Sequence, residues 1–508
     1  MRLRRRGVIA ALTAALGALL LNSAGAAGLS KAPIPVPRPD RVPNDGAVGH
    51  PTQRHSGISG WMVVDLDSGE IVDQYQADTP FAPASVAKLP TTLYALDRLG
   101  PEHRFETRVA MQGRIEGQTL EGDLILIGGG DPELDTDDLL PLVTQLTERG
   151  FRHVSGHFYV DGSAGPQRVA IDAGQPVDAA YNPALSGLNL NFNRVRLKWN
   201  ARGEARMLRV SAKGVRLDPE VVGVRVALAS YPGAPMFSHA IEGSGEIWRM
   251  SERGFRGEGA RWLPVRQPEL YAGEVFQSLA STYGITLDPA HQGVAPESAT
   301  VIATHQSRAL QPMLKSMLRY STNLTAEMAG LAASRAASKA GDPELDSLAA
   351  SAGAMNAWAA EVAGFAPGDP GFRLTNHSGL ASNSRVSPRR MAEFLAAMAK
   401  RQPASSKRHP RLPGGITDLL RDYNVAAKSI KMDYRHLDIT AKTGTMDYVR
   451  GLAGYIATPS GRRLAFAIFS NDLARREEGV QRINRRWMAR ARVFERSLIR
   501  NWVRALEG

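Results

Sequence analysis

Residues 59–78 read SGWMVVDLDSGEIVDQYQAD, and after Pro83 the chain continues ASVAKLPTTLYALDRL over 84–99. In the first stretch two β-rich runs flank Asp67-Ser68-Gly69, a turn composition that predicts a hairpin. In the second, Val86, Leu89, Leu93 and Leu96 recur at helical spacing and Gly100-Pro101 stops the pattern, so a helix is expected from Ala84 to Leu99 with Ser85 in its first turn. The far end of the chain supplies strand patterns at 437–443, 449–457 and 463–470 and a last helix over about 481–506. Helical patterns at 311–320, 323–337 and around 343–363 lie in between. Two strands at the start, three at the end and helices between them predict an α+β fold. Its centre is one antiparallel sheet, assembled from both ends of the chain and flanked by helices.

The character changes from about 105 to 295. Short β-like runs such as GDLILIGGG at 122–130 and LNLNFNRVRLKW at 188–199 are broken by Gly and Pro. This predicts a β-rich inserted region, expected to form two subdomains, within a domain made of residues 56–104 and 296–508. Upstream, residues 1–26 join an arginine cluster (Arg2, Arg4, Arg5, Arg6) to an apolar run and an Ala24-Gly25-Ala26 cleavage pattern. They read as a secretory signal peptide, with a non-cleaved membrane anchor as the weaker alternative because the apolar run is short for a span; a location across the inner membrane, in the periplasm, is expected. Residues 27–55 carry alternating prolines and read as a linker.

Of the 508 residues 43% are hydrophobic and 22% charged, which excludes a disordered or collagen-like chain. With no cysteine, a disulfide framework, a thiolate nucleophile and Cys-ligated metal sites are excluded. HExxH is also missing, so no metal or cofactor is expected. Formal charge is +12, of which four positive charges sit in the export segment. The remaining excess suits work beside an anionic polymer such as a cell wall, and no nucleic-acid partner is expected.

Chemistry concentrates in three short motifs. Ser85-Val86-Ala87-Lys88 places a hydroxyl and an amine three residues apart, on one helical face and about 5–6 Å apart at Cβ. Serine is a weak nucleophile unless a base takes its proton, and lysine can be that base only when burial or a nearby cation lowers its pKa. Ser321-Thr322-Asn323 sits between two predicted helices, and Lys442-Thr443-Gly444-Thr445 ends a predicted strand, where glycine admits close backbone approach. S-x-x-K, S-x-N and K-T-G in this order form the signature of penicillin-binding proteins and class A β-lactamases.

The 236-residue gap from Ser85 to Ser321 resembles the D-alanyl-D-alanine carboxypeptidases of the penicillin-binding protein 4 type, the low-molecular-mass class C penicillin-binding proteins. GDLILIGGGDPEL at 122–134, AAYNPALSGLNLNFN at 179–193, SGLASNSRVSP at 378–388 and AKTGTMDYVRGLAGY at 441–455 are similar to that family as well. The resemblance implies a serine D,D-carboxypeptidase and D,D-endopeptidase acting on peptidoglycan stem peptides, with β-lactams as covalent inhibitors. By resemblance Ser85 is acylated, Lys88 is its base, Ser321 relays a proton to the leaving group and Asn323 orients Lys88. Lys442 adds a second positive charge, Thr443 and Thr445 hold the terminal carboxylate, Gly444 completes that strand, and Met446 lines a side-chain pocket. Thr-Asn-His-Ser-Gly at 375–379 departs from the family's Asp-Gly-Ser-Gly. A β-lactamase-like hydrolase and a catalytically silent peptidoglycan-binding scaffold are the alternative readings.

Two further features have plain structural expectations. Gly128-Gly129-Gly130-Asp131 reads as a tight turn with an Asp cap, and His377 as a loop residue without catalytic duty. The arginine-rich last helix is expected to pack on the sheet through Trp487, Val493, Phe494, Leu498 and Trp502, with membrane contact as the alternative.

Overall fold

The computed structural model describes residues 49–150, 152–202, 207–231, 233, 235–338, 347–425, 436–477 and 485–507. The expected export segment and most of the proline-rich linker lie outside the described residues.

Alternation decides the central sheet. In strand Ile58–Asp65, Trp61 and Val63 point to one side and Met62 and Val64 to the other, and all four are buried. Strand Arg463–Asn471 repeats the device, with Leu464, Phe466 and Ile468 on one face and Ala465, Ala467 and Phe469 on the other. A strand apolar on both faces must be covered twice. Six strands pair in the order 421–422, 438–446, 449–457, 463–471, 58–65, 71–75, every pairing antiparallel. The helices Lys88–Leu99, Leu310–Tyr320, Asn323–Ala337, Leu348–Ala363 and Pro388–Arg401 share the core on one face. On the other face the C-terminal helix Arg485–Glu507 buries Phe494, Leu498, Ile499 and Trp502 against Trp61, Leu452 and Phe466. Each such large side chain contributes about 1.5–3 kcal/mol by leaving water. The expected packing of this helix on the sheet is observed and Trp487 joins a smaller cluster with Tyr448 and Met488, but Val493, expected on the same face, is exposed because it lies one position before Phe494 and so turns away from the sheet. No helix among the described residues is long and apolar enough to cross a membrane.

The expected 84–99 helix is interrupted at its start. Ala84–Ala87 form a 3-10 turn and the α-helix runs from Lys88 to Leu99, ending at Gly100 with φ +80°. The distortion arises because Ala84 takes φ +47°, which no α-helix accommodates. Helix 348–363 begins later than the expected 343, and residues 339–346 lie outside the described set.

Residues 106–306 build three further sheets. One is mixed, with strands 158–161, 119–128 and 106–116 at its centre and 300–306 at its edge; the other two are three-stranded. Strand Thr300–Gln306 pairs with Glu106–Glu116, so the inserted sheet reaches past residue 295, where the sequence reading placed its end. One apolar cluster, from Val109 to Ala303, runs through all three sheets. The tight turn expected at Gly128–Asp131 is instead a strand end at Gly128 followed by irregular chain that bends at 132–133, where Asp131 caps the bend by accepting from the Glu133 amide at 2.9 Å. A separate cluster joins Ile171 and Leu185 of the insertion to Leu324, Met328, Leu331 and Leu380. That contact seats residues 171–185 beside the Ser321-Thr322-Asn323 loop.

Candidate active site

Four elements converge on Ser85. The 3-10 turn carries the serine, the next residue after it carries Lys88 into the helix, the loop at 321–323 opens another helix, and strand Asp438–Met446 brings the Lys442-Thr443-Gly444-Thr445 run alongside. Lys88 Nζ lies 3.0 Å from Ser85 Oγ and donates to Asn323 Oδ1 at 2.7 Å and to the Ser378 carbonyl at 2.8 Å. Its side chain is fully buried. Burial above all, with the positive charge of Lys442, holds its pKa well below the ordinary lysine value, against an opposing pull from Glu327.

A second amine stands beside the first group. Lys442 Nζ donates to Ser321 Oγ at 3.0 Å and to the Thr443 carbonyl at 2.8 Å. Burial, then the charges of Arg450 and Arg421, push its pKa down to about 7. Ser85, Ser321, Asn323, Thr443, Thr445 and Met446 all line one cavity of about 980 Å³. Every site residue named from the sequence therefore lies at this cleft or immediately beneath it.

Glycine is required at two places. A Cβ on Gly444 would stand 2.5 Å from the Pro83 carbonyl and 3.1 Å from the Ser85 amide nitrogen, so only glycine lets this strand touch the serine turn. Gly379 has φ +73°, and a Cβ there would sit 2.0 Å from the Ala84 carbonyl. Gly379→Ala is expected to cost about 1–3 kcal/mol and to slow acylation of Ser85 by displacing its turn, as read from a denaturation midpoint and a β-lactam labelling rate. Ala84 and Ser321 (φ +60°) are themselves non-glycine residues in the left-handed region, held there by the packing around them.

Several contributors escaped the sequence reading. Ser378 acts through its carbonyl, which no motif advertises. Glu327 is fully buried and accepts from the backbone amides of His377 and Ser378 at 3.0 Å each, clamping the loop that faces Lys88. Its place four residues after Asn323, on the same helical face, was the available signal. Tyr181 of the insertion accepts from Asn323 Nδ2 through its carbonyl at 2.9 Å and lines the cavity with Gln175. Arg450 donates to Thr445 Oγ1 at 3.0 Å and is itself held by Glu495 at 2.8 Å. His377 lies in the loop as expected, but it is a core group. Its ring packs on Gly330, its Nε2 is 2.7 Å from Ser351 Oγ, and burial pushes its pKa down to about 3.

Known proteins share this architecture. A D-alanyl-D-alanine carboxypeptidase of an Actinomadura species is 27% identical over 458 residues, covering 82% of this chain and 78% of that protein. The D-alanyl-D-alanine carboxypeptidase DacB of Haemophilus influenzae is 24% identical over 425 residues, covering 81% of this chain and 85% of its own length. The crystal structure of penicillin binding protein 4 (dacB) from H. influenzae superposes with a TM-score of 0.71 at 21% identity, covering 90% of this chain and 98% of that one. The same protein complexed with a novel β-lactam gives 0.65 at 21% identity, covering 88% and 96%. These matches bear out the expected α+β fold and the resemblance to the penicillin-binding protein 4 type. The profile of the D-Ala-D-Ala carboxypeptidase 3 (S13) family matches residues 52–491, and the chain belongs to that family.

Proposed function

We propose that this chain is a secreted serine D-Ala-D-Ala carboxypeptidase that also cleaves D-configured peptide crosslinks of peptidoglycan through a Ser85 acyl-enzyme. The observation that carries the reading is the environment of Lys88. A neutral amine has two hydrogens and one lone pair. Asn323 Oδ1 and the Ser378 carbonyl can only accept, so they engage the two hydrogens and leave the lone pair to the Ser85 hydroxyl at 3.0 Å. Burial favours this uncharged form.

In this mechanism Lys88 takes the Ser85 proton as Oγ attacks the carbonyl of the penultimate D-alanine. The oxyanion is received by the amides of Ser85 and Thr445, a reading supported by the close approach of Gly444 to the Ser85 amide. The C–N bond breaks as Ser321 passes a proton to the departing nitrogen, and Lys442 at 3.0 Å replenishes Ser321. Thr443 and Thr445 hold the terminal carboxylate, and Met446 borders the acyl-side pocket. Water then hydrolyses the ester. Among the described residues Lys442–Met446 have a strand partner on one side only, because the 421–422 strand pairs with Thr440 and Ala441, which supports pairing of an extended peptide along this edge.

A β-lactam fits the same site because its amide mimics the scissile bond and its leaving group stays tethered. The same reading assigns residues 1–26 to export, places the mature chain in the periplasm, and treats the two chain segments flanking the inserted sheets, which end with strand 300–306, as one catalytic unit. Incubation with benzylpenicillin is expected to add one drug mass to the intact chain, on the peptide containing Ser85. Ser85→Ala is expected to lose both the adduct and D-alanine release. An unmodified wild-type chain, or release that survives the substitution, would refute the assignment.

A further inference from the structure

A second cavity of about 420 Å³ opens on the other side of Ser321, Lys442 and Thr443. It shares Ser321 and Thr443 with the main cleft but does not reach Ser85. Its walls are cationic. Arg319 comes from the last turn of helix Leu310–Tyr320, Arg421 from the edge strand, and Arg492 and Arg496 from the C-terminal helix. The nearby acids are already engaged: Asp422 by Arg408 at 2.8 Å and His409 at 2.9 Å, and Glu495 by Arg450. Among the described residues none of the four arginines forms an ion pair, and Arg496 leaves its buried Nε without a hydrogen-bond partner. Arg319 lies over the Tyr320 ring and Arg496 over the Tyr423 ring, but no carboxylate offsets the four like charges, and an arrangement of that kind attracts an anion.

Position says which anion. In the proposed peptidase reaction, on which this inference rests, the leaving nitrogen lies at Ser321 and its carboxylate at Thr443. The second cavity shares Ser321 and Thr443 with the cleft, so it adjoins the place where whatever is attached beyond them continues. Free D-alanine ends there. A crosslinked stem peptide continues, and brings further carboxylates. We propose that this arginine-lined cavity binds the carboxylate-bearing leaving strand of crosslinked peptidoglycan peptides, so that it promotes crosslink cleavage selectively over release of terminal D-alanine.

The test uses the full mature chain with Arg319→Gln and Arg492→Gln combined, positions that touch neither Ser85 nor Lys88. Expected is a loss of kcat/KM of roughly tenfold or more on a crosslinked muropeptide dimer, with D-alanine release from a monomeric pentapeptide changed less than about twofold. Labelling by benzylpenicillin should keep its wild-type rate, which verifies that the double variant is folded. With the wild-type chain, a dimer amidated only on the leaving-strand carboxylates beyond the one held at Thr443 should show the same roughly tenfold deficit. Equal losses on dimer and monomer would overturn the proposal, as would no loss on the dimer or a wild type that cleaves no dimer. If benzylpenicillin fails to label even the wild type, the peptidase reading itself falls; if labelling and D-alanine release proceed and only the selective loss is missing, the leaving-strand assignment alone falls.

Discussion

Lys88→Arg is expected to slow acylation of Ser85 by on the order of 10³–10⁴-fold although it keeps a cation in place. The guanidinium holds its proton throughout the accessible pH range, so it can donate but cannot accept. Neutralisation explains the sign of the pH dependence. Burial and Lys442 depress the Lys88 pKa, so the active, uncharged fraction grows as pH rises through that lowered value. Wild-type acylation should therefore climb as pH rises through that lowered value, and the variant should lack that limb. Benzylpenicillin labelling followed by mass at a series of pH values measures both effects. A variant that keeps even a tenth of wild-type activity would show that Lys88 acts as a charge and not as a base.

Glu495→Leu is expected to destabilise the fold by about 3–5 kcal/mol, because it strands a buried guanidinium. Arg450 and Glu495 expose only 4% and 1% of their side chains, and Arg450 Nε sits 2.8 Å from one carboxylate oxygen and 3.1 Å from the other. Glu495 raises the Arg450 pKa, so the charge is locked in place. Tyr423 donates to the same carboxylate at 3.2 Å. Replacing both members, Arg450→Met with Glu495→Leu, should recover most of the loss, since desolvation of two ions then disappears along with their attraction. Guanidinium titration of the single and double variants measures this. The double variant should nonetheless bind substrate more weakly, because Thr445 loses the 3.0 Å donor that orients its hydroxyl. Parallel destabilisation of single and double variants would contradict the account.

The sheet was legible because its signal is local. Trp61, Met62, Val63 and Val64 announce a strand buried on both faces, and Asp67-Ser68-Gly69 announces the turn after it. Ser85, Lys88, Ser321, Asn323 and Lys442 were legible because the chemistry demands those side chains in that order. Side-chain identity is written in the sequence. Ser378 was not legible, since any residue supplies a carbonyl, and what matters is where a loop points it.

Sequence alone determined the fold class, the three motifs and the large interval between the first two. Tertiary structure alone decided that Glu327 clamps the loop at 376–379, that Tyr181 and Gln175 of the insertion wall the cleft, and that arginines from positions 319, 421, 492 and 496 meet around a second cavity. The physical reason is range. Backbone periodicity and motif spacing act over a few residues, whereas burial, desolvation and the summed field of several charges depend on neighbours that only the folded chain brings within a few ångströms.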